Sequence, residues 1–161
     1  MTRYALVVPF PDLAPVVDDV RERTCVSKPS HGVPPHVTLL APCTDDVAAI
    51  GEQLAPFGPF DVSFAALDRF PGTLWLAPDP SEPFREMTAS LVARFPDHQP
   101  YGGVFSRVVP HLTVAQADLD AAAAELGPRL PLRSQATSAV LLERDRTERW
   151  SEVATFTLEP G

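Results

Sequence analysis

The chain has 161 residues, 45% of them hydrophobic and 21% charged, with a net charge of −8 at pH 7. These proportions describe a folded chain, long enough for one compact domain or two small lobes on a shared core, without a disulfide or metal staple. The acidic balance excludes a broad, sequence-independent grip on long duplex nucleic acid, which needs many cations against phosphates. No stretch approaches the roughly 20 apolar residues of a membrane span.

Arginine supplies almost all the basic charge, with Lys28 the single lysine. An acidic protein can still hold a small phosphate, because a cleft can be locally positive. The apolar run at residues 5–10 is broken by Pro9 and is too short for a signal peptide. Cys25 and Cys43 lack metal-ligand spacing, so free thiols in a reducing cytoplasm are expected.

Residues 3–10 form a continuous apolar run ended by proline and read as a buried strand. Asp12 is placed to cap a helix over 13–25, with Pro15 in its first turn. A proline-bearing loop over 27–35 leads to a short strand at 36–41. Thr44 or Asp45 caps a second helix ending near Ala55. Strands follow at 60–70 and 73–77, joined by Pro71 and Gly72. Ser81 opens a helix that Pro96 closes, with Phe84, Met87, Leu91 and Phe95 on one face. A strand region at 104–115, a helix from Asp118 to about Leu126, and a last hairpin of 132–144 with 150–158 complete the chain.

The two halves share a pattern. Pro35-His36-Val37-Thr38-Leu39 and Pro110-His111-Leu112-Thr113-Val114 both read Pro-His-apolar-Thr-apolar, each followed by an acid-capped helix. Such an internal repeat predicts two lobes, about 1–78 and 79–161, related by a pseudo-two-fold axis. In a strand, residues i and i+2 share a face, so each histidine points with its threonine while the apolar residues face the core. If the two strands lie side by side, two imidazoles and two hydroxyls converge on one phosphate.

Phosphodiester hydrolysis needs a base for the nucleophile and an acid for the leaving oxygen. Histidine does both near neutrality, its ordinary pKa being about 6.5. His36 and His111 can hold opposite protonation states across the phosphorus, and Thr38 and Thr113 can donate to its non-bridging oxygens. The scheme needs no metal and no cofactor. A zinc site on the two histidines would require a third ligand, and no cysteine or carboxylate has suitable spacing nearby.

On these motifs, their separation and the order of elements around them, the chain resembles the 2H phosphoesterase superfamily. That group includes the 2'-5' RNA ligase-like proteins and cyclic nucleotide phosphodiesterases. Residues 32–40 and Tyr101-Gly102-Gly103 look like its small bacterial members. The resemblance implies an α+β bilobal fold whose antiparallel sheets line a central cleft, with helices outside. It implies His36 and His111 as acid and base, and Thr38 and Thr113 as phosphate donors. The implied substrates are 2',3'-cyclic nucleotides, RNA ends or 2'-5' linkages, hydrolysed or, in reverse, ligated.

An aromatic near such a cleft stacks on a base, a role open to Tyr101, Phe105 or Phe10. Arg107 either reaches a phosphate or is a surface arginine. The expected partner is therefore a small nucleotide or RNA end, with no membrane and no long duplex, and the chain is expected to act as a monomer. The competing reading is a module that binds a nucleotide or phosphate without turnover.

Overall fold

A computed structural model describes residues 3–98 and 108–160. In chain order it carries β1 (Tyr4–Pro9), α1 (Ala14–Thr24), β2 (His36–Leu40), α2 (Val47–Leu54), β3 (Phe60–Phe70), β4 (Thr73–Asp79) and α3 (Glu82–Arg94). Then follow β5 (Leu112–Ala115), α4 (Leu119–Leu126), β6 (Leu132–Ala136), β7 (Ser138–Arg144) and β8 (Trp150–Thr157). Caps differ in detail from expectation. Asp46, rather than Thr44 or Asp45, caps α2 by accepting from Ala49 N at 3.1 Å. Asp12 lies in a 3-10 turn ahead of α1, where its carboxylate accepts from Ser134 Oγ at 2.8 Å.

The strands form two antiparallel four-stranded sheets, ordered β2-β1-β7-β8 and β5-β4-β3-β6. Each sheet puts a His-x-Thr strand at its edge, beside β1 in one and β4 in the other. This is the α+β, two-sheet architecture expected.

The lobes, however, are not the two halves of the chain. The β5-β4-β3-β6 sheet is one contiguous piece, Phe60 to Ala136, whereas the other sheet joins both ends of the chain. The boundary at 78/79 is corrected by the register: Trp75 pairs with Thr113 and Val62 with Ser134, so β4 and β5 belong to one lobe. The expected strand 132–144 divides for the same reason. Its first part pairs with β3 and its second with β1, and the chain changes sheet at Thr137.

One apolar core runs through both lobes. Helix α1 packs on β5 and α3 on β2, so each braces the histidine strand of the opposite sheet. On α3, the buried Thr88 Oγ1 donates to Leu39 O of β2 at 2.7 Å. Phe10 belongs to this core and not to the cleft. Its ring is fully buried, 5.2 Å from Phe64 and 6.4 Å from Phe84 between centroids, which removes it as a base-stacking residue. A second, small apolar cluster of Ala5, Val7, Val140 and Leu142 covers the other face of the β2-β1-β7-β8 sheet.

Both cysteines are free and buried, and burial pushes the Cys43 thiol up to about 12. Among the described residues no helix is long and apolar enough to cross a membrane.

Candidate active site

His36 opens β2, and the strand's alternation leaves His36 and Thr38 half-buried while Val37 and Leu39 enter the core. His111 stands one residue ahead of β5, and the same alternation half-buries His111 and Thr113 and sinks Leu112 and Val114. The two edge strands adjoin. The strand faces carrying both His-x-Thr pairs are therefore neighbours.

Each imidazole is held in the same way. His36 Nδ1 donates to Pro34 O at 2.8 Å and His111 Nδ1 donates to Val109 O at 2.7 Å, in both cases the carbonyl two residues upstream. A carbonyl only accepts, so Nδ1 carries its hydrogen whether the ring is neutral or charged. The proton that comes and goes is then the one on Nε2. Burial pushes the His36 pKa down to about 4, opposed by the Pro34 carbonyl and aided by the charges of Arg21 and His111. Burial also lowers His111, against the pull of the Val109 carbonyl. A proton on His111 thus disfavours a second on His36.

Behind His36 lies Arg21, 2% exposed on α1. It pairs with Asp18 at 2.6 Å and donates to Val33 O at 3.0 Å and Pro34 O at 3.2 Å. The carbonyl that orients His36 is therefore itself fixed by a buried cation. Around His111 the setting is aromatic: its ring centroid is 5.0 Å from Phe70 and 5.7 Å from Trp75, both edge-to-face. Trp75 is the cross-strand partner of Thr113, so the two share a sheet face. Its indole Nε1 is buried and has no hydrogen-bond partner among the described residues.

A cavity of about 280 Å³ is lined by His36 and Thr38 together with Ala5, Val7, Leu142, Arg144 and Trp150. The Arg144 guanidinium lies 5.8 Å from the Trp150 ring centroid. Of the residues singled out from sequence, the structure sets the strands of His36-Thr38 and His111-Thr113 beside each other, and His36 and Thr38 line the cavity. Tyr101, Phe105 and Arg107 lie outside the described residues. Arg21, Phe70, Trp75, Arg144 and Trp150 were not foreseen. Only tertiary packing gathers them, and the single local hint was the pair of aromatics, Phe70 and Trp75, about the 71–72 turn.

Two antiparallel sheets meeting through a pair of His-x-Thr edge strands define the 2H phosphoesterase class. The chain belongs to the 2'-5' RNA ligase superfamily, whose family model matches residues 9–148. The crystal structure of TT0787 from Thermus thermophilus superposes with a TM-score of 0.65 at 17% identity, over 97% of each chain. E. coli LigT complexed with 3'-AMP gives 0.63 at 14% identity over 99% of each chain. LigT complexed with NADP+ gives 0.63 at 16%, over 99% of this chain and 98% of LigT. At such identities the likeness is one of fold. No curated protein matches.

Proposed function

We propose that this protein hydrolyses a cyclic phosphodiester on a nucleotide or RNA end, with His36 and His111 as its acid and base. One observation carries the reading: two imidazoles at adjoining edge strands, each with Nδ1 tied to the carbonyl two residues upstream, which fixes the tautomer. One Nε2 takes a proton from water as its oxygen bonds to phosphorus. The other Nε2 gives a proton to the ribose oxygen as the ring P–O bond breaks. A phosphate monoester remains. Thr38 and Thr113 donate to the non-bridging oxygens, where charge grows in the transition state. Run backwards with a 5'-hydroxyl in place of water, the same groups join a cyclic end to a second chain.

The cavity, at about 280 Å³, lies just under the roughly 300–1,000 Å³ of ligand pockets, which fits a small ligand. The LigT complexes with 3'-AMP and NADP+ support the same class. The net charge of −8 weighs against a dedicated ligase holding two long RNA ends.

The test is turnover of 2',3'-cyclic nucleotides and 2'-5'-linked dinucleotides, with and without a chelator. His36→Ala and His111→Ala should each lower kcat by at least about 100-fold, the usual size of an acid or base contribution. Chelation should change nothing. Wild-type turnover in either variant refutes the pair. Stoichiometric nucleotide binding without hydrolysis of any of these substrates would establish the binding-module reading instead.

A further inference from the structure

We propose that the Arg144 end of the His36 cavity is a second anion subsite, so that the preferred substrate carries another phosphate beyond the one that reacts. The inference rests on the cyclic-phosphodiester reading and adds a substrate class to it. Arg3, Arg21, Arg23, Arg69 and Arg85 each pair with a carboxylate. Arg144, like Arg94, Arg129, Arg133, Arg146 and Arg149, forms no ion pair among the described residues, and of these six it is the one that lines the cavity. Its guanidinium carbon lies 5.8 Å from the Trp150 ring centroid, a cation–π approach that brings no neutralising carboxylate. Glu152 stands on the same strand as Trp150, and its carboxylate accepts from Thr155 Oγ1. In a protein of net charge −8, an uncompensated cation in the cavity that holds His36 is a feature of that cavity and not of a generally basic surface.

Register shows that Arg144 and His36 address different parts of a ligand. On β1, His36 stands opposite Pro9, whereas Arg144 N donates to Arg3 O. Six positions separate those levels, roughly 20 Å of extended strand at about 3.3 Å per residue. A single phosphate cannot span that. The floor between is apolar: Val7, then Ala5 and Leu142. The cavity thus reads, along its length, as a phosphate station with His36 and Thr38, an apolar bed for a nucleoside, and a cationic station. A nucleoside with phosphates on both its 3' and 5' sides, or a 5'-phosphorylated 2',3'-cyclic nucleotide, has that order of groups.

The experiment is calorimetric titration of the full chain with adenosine 3'-monophosphate and adenosine 3',5'-bisphosphate, in wild type, Arg144→Met and Arg144→Lys. Arg144 is only half-buried, so both variants should fold. Wild type should bind the bisphosphate about tenfold more tightly, the worth of one charge-assisted contact. Arg144→Met should abolish that preference while leaving the monophosphate affinity within about twofold, and Arg144→Lys should keep part of it. Equal affinity for both ligands in wild type overturns the second subsite. So does an equal loss on both in Arg144→Met, which would make Arg144 a stacking platform or a contact to the reacting phosphate. Neither result touches the two-histidine reading. Failure of wild type to bind either nucleotide would sink that reading and this one together.

Discussion

At the scale of single residues, the site holds two histidines whose burial disfavours protonation. With His36 lowered to about 4 and His111 lowered from its ordinary 6.5, the kcat/KM profile should be a bell centred below pH 6.5, its limbs belonging to the coupled pair. A free-enzyme optimum above pH 7 contradicts this. The same shift acts on folding. His36 binds its proton less readily in the native chain than in the unfolded one, so stability should fall as pH drops from about 6.5 towards about 4. Thermal melts across that range, with His36→Ala losing part of the slope, check it. Trp75 makes a second prediction. A buried indole donor with no partner among the described residues costs about 1–3 kcal/mol unless a ligand accepts from it. Trp75→Phe should therefore stay within about 1 kcal/mol of wild-type stability while kcat/KM falls about tenfold. A large loss of stability with intact kcat/KM would make the indole purely structural.

At the scale of elements, the loop before His36 is pinned to the hairpin that carries Arg144 and Trp150. Gly32 has φ +85°, and a Cβ there would lie 2.2 Å from Trp150 O. Arg149 also donates to Ser30 O at 3.2 Å. Gly32→Ala should cost at least about 2 kcal/mol in urea denaturation, from the left-handed backbone and the overlap. It should also raise KM, since both the Pro34 carbonyl and the Trp150 end of the cavity must shift. A loss below about 0.5 kcal/mol contradicts the close approach. Elements of this kind were largely legible in the sequence. The helices and strands followed from apolar period and proline breaks, and the His-x-Thr strands stood out because the pattern occurs twice. The change of sheet at Thr137 was not legible, because no glycine or proline stands between Leu132 and Arg144 to mark it. Nor was the setting of His111: Phe70 and Trp75 meet it only after β3, β4 and β5 have paired.

At the scale of the whole molecule, the two lobes are interleaved and not consecutive. Sequence neighbours suggested halves, yet the decisive pairings, β1 with β7 and β4 with β5, join distant segments. Because α1 braces β5 and α3 braces β2, the main core is shared by both lobes. Unfolding should therefore be a single event. The two tryptophans report on it, one per sheet: Trp75 on β4 and Trp150 on β8. Denaturation followed by fluorescence in Trp75→Phe and Trp150→Phe should give one sigmoid each, with the same midpoint as far-UV circular dichroism of the same variant. A biphasic curve would mean lobes that melt separately. The interleaving also has a consequence for biosynthesis. Strand β1, with four consecutive buried residues from Ala5 to Val8, emerges from the ribosome early, but its partner β7 follows more than a hundred residues later. Until then one side of β1 is an unpaired apolar edge, the kind of surface that recruits other chains. The inserted lobe can be translated in full while the His36 sheet still waits, so a nascent chain of this protein should need shielding late in translation, at its N-terminal end.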